Sequence, residues 1–274
     1  MGALFGLLAA ASIGTSDLFG RRVVMRCHVL SAMIAFQASA ALVALFVALV
    51  VPGSFTGDDF ARGLVSGVGL GAGLACYYTS LERAGSAVAA PVVATLSAVI
   101  PFVYSALRGH DPSHLAVVGA AVAFAGLGLV TAGGTRGTRL RTGTAWAALS
   151  GVAYGVGLSV LVDLSEHSGA WPGFGQRVTS VAAMAALVAA RRLPALPPAD
   201  VMGFALLTGV ASAGATAFYI VGIWFNAPAT VVGASMFPVL SVLVGRAAYD
   251  DPSSLRQYVG IATAVAGVTA VVAL

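Results

Sequence analysis

The sequence predicts an all-α integral membrane protein, with ten transmembrane helices in two inverted five-helix repeats around a central cavity. Three observations predict it. The composition is 59% hydrophobic and only 9% charged over 274 residues, with a mean hydropathy of +0.95, too little charge to cover a soluble surface of that size. Apolar runs of about 20 residues, each able to cross a hydrocarbon core of roughly 30 Å, recur from end to end. The second half of the chain also repeats the pattern of the first.

The runs fall at 2–20, 30–51, 63–81, 87–107, 115–133, 144–162, 174–190, 202–223, 229–248 and 256–274. Turn and charge signals separate them. Helix one ends at "RRVVMRCH" (21–28) and helix two at "GSFTGDDFAR" (53–62). The short "ERAGS" (82–86) divides helices three and four, and "RGHDPSH" (108–114) divides four and five. "GGTRGTRLRTG" (133–143) precedes helix six, and "RRLPALPPAD" (191–200) precedes helix eight. "FNAP" (225–228) is the expected break before helix nine, and "YDDPSS" (249–254) the break before helix ten.

The repeat is carried by two stretches. "GVGLGAGLACYYTSLERAGSAV" (67–88) aligns without gaps against "GVASAGATAFYIVGIWFNAPAT" (209–230), which places Gly67 on Gly209 and Tyr77 on Tyr219. "IPFVYSALRGHDPSHLAVVGAAVAFAG" (100–126) resembles "FPVLSVLVGRAAYDDPSSLRQYVGIATAVAG" (237–267). Each has a proline read as lying within a span (Pro101, Pro238), an Asp-Pro turn and a glycine-containing closing helix. The expected units are 1–134, a connecting loop at 135–143, and 144–274. Five is odd, so the second unit enters the membrane from the opposite face. Rocking of two inverted halves exposes one central site to each side in turn, which points to a transporter.

Composition excludes other classes. All 14 basic residues are arginines in loops and helix ends, without the basic stripe and interleaved aromatics of nucleic-acid binding. Arginine without lysine, beside abundant Ala, Gly and Val, reads as the codon bias of a GC-rich bacterium, hence a multi-pass protein of the bacterial cytoplasmic membrane. Cys27 and Cys76 form neither CxxC nor a zinc spacing, and the chain carries no HExxH and no phosphate-binding GxxxxGK[ST]. No metal and no cofactor are expected. Residues 1–20 lack a basic n-region and form the first member of the repeat, so cleavage as a signal peptide is rejected. An embedded enzyme would need a nucleophile with a base, or paired aspartates on facing helices. Asp17 is read as the one intramembrane acid, and no histidine lies mid-span. The reading is therefore not an enzyme.

The chain resembles the EamA-type transporters of the drug/metabolite transporter superfamily over nearly its whole length. The resemblance rests on "IGTSDLFGRR" (13–22), similar to the W-G-x-S-D-F-x-G…R-R opening of an actinobacterial-type subgroup, and on "FQASA" (36–40) and "LERAGSAVAAPVVATLSAVIPFV" (81–103). "SGAWPGFGQR" (168–177) and "FPVLSVLVGRAAYDDPSSLRQYVG" (237–260) complete it. Ile13 stands where the family usually has Trp, and Asp111 and Asp251 where Glu is usual. The resemblance implies ten helices in two repeats, cytoplasmic termini, and export of small metabolites or drugs driven by an ion gradient. Eleven of the 14 arginines lie in odd-numbered loops. The positive-inside rule would make those loops cytoplasmic and put both termini outside, against the family orientation.

Asp17 leads the candidate residues. An intramembrane carboxylate is costly, by roughly 2.5–3.5 kcal/mol at a central position on insertion scales, and is retained for function. It is the candidate for proton coupling. The structural alternative pairs it with Arg21 four residues on, with Arg22 and Ser16 as other partners. Arg177 enters helix seven behind "WPGFGQ", and by the repeat Gln37 takes the equivalent place on helix two. A guanidinium there can bind a substrate carboxylate or phosphate bidentately, neutralise Asp17, or snorkel to the interface. Tyr77, Tyr78, Tyr154 and Tyr219 are interior aromatics with a polar tip, Tyr77 and Tyr219 being repeat mates. Tyr104, Tyr249 and Tyr258 read instead as interfacial-belt residues. Gly63, Gly67 and Gly71, with Gly69 and Gly73 on an adjacent row, form close-approach surfaces. Pro91, Pro101 and Pro238 would kink their spans.

Ser16, Asp17, Gln37, Tyr77, Tyr154, Arg177 and Tyr219 are thus the expected substrate- or proton-binding set. The expected activity is secondary active export of a small molecule, coupled to a proton or other ion gradient, by a monomer in the bilayer. A flippase for a lipid-linked molecule, an uptake transporter or a passive channel of the same fold stand as alternatives.

Overall fold

A computed structural model of the chain describes residues 1–107, 114–132, 138–161, 164–234, 236–251 and 253–272. The Asp-Pro turn at Asp111, together with Asp163 and Ser235, lies outside them. Ten α-helices make up the described chain: α1 (Gly2–Val24), α2 (Val29–Val50), α3 (Gly57–Ala84), α4 (Ser86–Leu107), α5 (His114–Ala132), α6 (Thr138–Ser159), α7 (Trp171–Ala190), α8 (Ala199–Ala234), α9 (Phe237–Tyr249) and α10 (Leu255–Val272). A single 3-10 turn, Glu166–Ser168, precedes α7. There is no strand among the described residues. Four stretches there meet length and composition for crossing a membrane: Val29–Val50, Gly57–Ala84, Trp171–Ala190 and Ala199–Tyr219.

Three sequence expectations need correction. Helix one continues through Arg21 and Arg22 to Val24. The break expected at 225–228 does not form, because α8 stays helical to Ala234. An Asn-Ala-Pro sequence costs a membrane helix little more than one backbone donor, and neighbouring helices can absorb that loss. Pro238 sits in the first turn of α9, where its missing N–H would be unpaired in any case, so it opens a helix without kinking one. Pro91 and Pro101 do lie inside α4. The "ERAGS" break forms as expected, with Gly85 at φ 72° between α3 and α4.

Small residues set the packing. Ser66 Oγ donates to the Gly157 carbonyl at 2.7 Å, Ser150 Oγ to Gly73 at 2.7 Å and Ser80 Oγ to Gly143 at 2.8 Å. These bonds step along α3 and α6 at heptad spacing in opposite directions, so the two helices run antiparallel. Interhelical bonds of this kind average about 0.6 kcal/mol in a membrane; three in register fix the alignment. The two glycine rows of α3 are close-approach surfaces, each against a different helix. Gly63, Gly67 and Gly71 lie against Pro172, Gln176 and Ser180 of α7, whereas Gly69 and Gly73 lie against Gly157 and Tyr154 of α6.

The pairings recur. α1 packs on α8 as α6 does on α3, and α2 on α8 as α7 does on α3. Gly67 rests on Gln176 and Thr179 of α7, and its aligned partner Gly209 rests on Phe36 and Ser39 of α2. Gly126 of α5 rests on Gly260 and Ala264 of α10, while Gly267 of α10 rests on Gly119 and Ala123 of α5. The last four contacts are reciprocal, which makes α5 and α10 antiparallel.

Candidate functional site

Three buried polar groups occupy the interior of this bundle. The first forms where α1, α3 and α9 meet. Asp17 is 5% exposed. Its Oδ2 accepts a hydrogen bond from the Tyr77 hydroxyl at 2.7 Å and a second from Ser241 Oγ of α9. Its Oδ1 carries none among the described residues. Beside it, Ser16 Oγ lies 3.0 Å from the Tyr78 hydroxyl and 3.2 Å from the Thr208 carbonyl of α8. Tyr78 also donates to the Ser16 carbonyl at 3.1 Å. The phenol of Tyr78 fits because residue 20 is glycine; a Cβ there would overlap the ring.

The second group joins α2, α7 and α8. Arg177 is 6% exposed, which excludes snorkelling to the interface. Its Nη1 donates to Gln37 Oε1 at 3.0 Å and its Nη2 to Ser212 Oγ at 3.3 Å. The two residues that the repeat places in equivalent positions therefore touch. Tyr154 of α6 is within electrostatic reach of both Arg177 and Asp17, and its ring covers Gly73. It links the two groups spatially but makes no hydrogen bond among the described residues.

The third group was read from sequence as an ordinary turn. Arg21 does not serve Asp17. Its Nη1 and Nη2 fork onto Oδ2 and Oδ1 of Asp251 at 2.6 and 2.8 Å. Asp251 is buried, and its Oδ2 also accepts from Ser86 N and Ser86 Oγ, each at 3.0 Å. The Arg21 guanidinium lies 4.4 Å from the centre of the Tyr249 ring, and the Tyr249 hydroxyl donates to the Leu18 carbonyl. Tyr249 is thus a packing partner of this ion pair. Once Arg21 is committed to Asp251, the aspartate four residues before it has only hydroxyl partners.

Six of the seven expected residues gather around these groups. Tyr219 does not: it is half-buried in α8 and makes no hydrogen bond among the described residues, unlike its aligned partner Tyr77. Sequence reasoning missed Ser241, Ser212 and the burial of Asp251. No three His, Cys, Asp or Glu side chains come together to hold a metal among the described residues.

Residues 1–132 match the model of the EamA-like transporter family. No curated protein matches the chain. A solved structure described only as "Crystal structure of protein" is similar over 98% of this chain and 95% of its own, at 22% identity and a TM-score of 0.63. At that identity the likeness is one of fold. The family match and the four apolar spans make this a multi-pass membrane protein. The EamA-like transporter family, which residues 1–132 of this chain match, is part of the drug/metabolite transporter superfamily.

Proposed function

We propose that this protein is a secondary active transporter that exports a small metabolite or drug-like molecule across a bacterial cytoplasmic membrane by alternating access. The match of residues 1–132 to that family points to membrane transport rather than enzymatic chemistry. The observation that carries the finer reading is the placement of Asp17 and Arg177. One buried charged side chain comes from each half of the chain, and neither is paired with an opposite charge in direct contact among the described residues. Charges retained at such cost in a membrane interior mark ion and substrate pathways.

Asp17 is the proton-coupling group. Its Oδ2 is held by two hydroxyls and its Oδ1 is left without a hydrogen bond among the described residues, so a proton can join or leave without disturbing the holding contacts. The reciprocal glycine contacts between α5 and α10, and the parallel roles of Gly67 and Gly209, support two inverted halves, 1–134 and 144–274. Such halves can rock about their shared axis.

The test compares metabolites released by cells expressing the wild type, Asp17→Asn at matched level, and an empty vector. Release by the wild type alone is the expected result. Equal release by wild type and variant would keep export and remove Asp17 from the coupling. If neither exceeds the vector, export is wrong; uptake and lipid flipping are then the readings to assay.

A further inference from the structure

Arg177 is a buried cation without a counter-ion in direct contact among the described residues. Its hydrogen bonds among the described residues go to neutral oxygens, Gln37 Oε1 and Ser212 Oγ. Among the described residues no carboxylate lies within ion-pair distance of it. A guanidinium removed from water is costly unless an anion answers it.

Gln37 supplies a second, independent observation. It is 1% exposed, and its Nε2 is buried with no hydrogen-bond partner. Its Oε1 is already committed to Arg177, so the amide cannot be turned round without losing that bond. The idle Nε2 therefore sits beside the guanidinium as another unspent donor. Among the described residues, then, a guanidinium and an amide nitrogen stand side by side with no carboxylate in direct contact and no further acceptor. An unpaired buried donor costs its full desolvation, so the deficit calls for a ligand.

The missing partner is an anionic oxygen group, and the charge limits which one. A single guanidinium balances a single negative charge, and neither of its hydrogen-bond partners, Gln37 and Ser212, carries a charge. A carboxylate meets both requirements, offering one charge and two oxygens that can face a planar fork. A phosphate would leave negative charge uncompensated. The adjoining cleft is walled by Ala44 and Val47 of α2 and Ala213 and Ala217 of α8, with Gln176 and Thr216 as polar members, so the rest of the ligand would meet mostly apolar surface. In this arrangement the cleft has only ≈ 20 Å³ of free space, room for about one water. A metabolite enters only when the helices around it part.

We infer that Arg177 and Gln37 bind the carboxylate of a small monoanionic substrate. This rests on the transporter reading but is tested by binding, independently of export. Purified protein is titrated with sodium acetate, lactate and benzoate, and in parallel with sodium phosphate and chloride, at constant ionic strength. Its Tm is followed by tryptophan fluorescence. The carboxylates should raise Tm saturably above the chloride and phosphate series. Arg177→Gln should abolish the rise, and Arg177→Lys, which keeps the charge and loses the fork, should weaken apparent affinity by about tenfold or more.

Gln37→Leu leaves Arg177 in place and should weaken the same carboxylates, so the test survives if the Arg177 variants fail to fold. The inference is overturned if no carboxylate exceeds chloride, if folded Arg177→Gln retains the rise, or if phosphate alone binds through Arg177. Carboxylate binding without cellular release would sink the export reading and leave the site. Release of a neutral compound, unchanged in Arg177→Gln, would sink the site and leave the export reading.

Discussion

Arg21 and Asp251, 230 positions apart in sequence, form a two-bonded ion pair at 2.6 and 2.8 Å that ties the end of α1 to the turn between α9 and α10. The same carboxylate takes Ser86 N and Ser86 Oγ at the start of α4. One side chain therefore joins both halves of the chain at one end of the bundle. Gly85 at φ 72° brings the α3–α4 junction so close that a Cβ on it would lie 3.0 Å from the Asp251 carboxylate.

Breaking this junction should be costly and unequal. Removing one partner of a buried pair costs about 3–5 kcal/mol. Asp251→Ala strands Arg21 and orphans Ser86 N; Arg21→Met leaves Asp251 still satisfied by Ser86. Unfolding in detergent should rank wild type above Arg21→Met, and Arg21→Met above Asp251→Ala. Equal stability of Asp251→Ala and wild type would mean that the pair does not hold the bundle together.

Tyr77 and Tyr219 align in the repeat, but only Tyr77 reaches Asp17. A hydrogen bond to a charged group contributes about 1.5–3 kcal/mol. Tyr77→Phe should therefore lower both stability and export, whereas Tyr219→Phe should stay within about 0.5 kcal/mol of wild type. Similar losses for both would mean that Tyr219 reaches the centre in another conformation.

Tyr77 and Ser241 donate to the same oxygen of Asp17, so their deletions should not add. Either single change leaves one donor in place; the double change Tyr77→Phe with Ser241→Ala strips Oδ2 of both. A double-mutant cycle should give a coupling of about 0.5–3 kcal/mol. A cycle closing to zero would place the two hydroxyls in separate environments.

Much of this arrangement was legible in the sequence because a repeat fixes positions in pairs. Gln37 and Arg177 were matched by alignment and do touch; the glycine rows of α3 were read from spacing and each meets its own helix. What was not legible depends on partners far along the chain. "YDDPSS" carries every mark of an exposed turn, and nothing local reveals that Asp251 is buried by Arg21. Ser241 looked like any helical serine bonding to its own backbone, the default for that residue type. The expected break at 225–228 failed for the opposite reason: its turn signals are local and real, but the helix overrides them.

The glycine contacts yield the last prediction, which separates packing from composition. A Cβ at Gly126 would overlap the backbone of Ala264, and one at Gly267 the backbone of Ala123. Backbone cannot swing aside as a side chain can, so Gly126→Ala and Gly267→Ala must push α5 and α10 apart, at about 1–3 kcal/mol each. Gly203 and Gly214 on α8 meet nothing within 4 Å. Alanine there should be neutral, to within about 0.5 kcal/mol. Because the two costly positions press on each other's helix around one contact surface, the first alanine already opens the gap that the second would fill. The double variant should therefore lose less than the sum of the singles. Unfolding in detergent of the four single variants and the α5–α10 double checks both statements. Full additivity would mean that the two glycines sit in independent contacts and would remove the reciprocal packing from the case for two inverted halves.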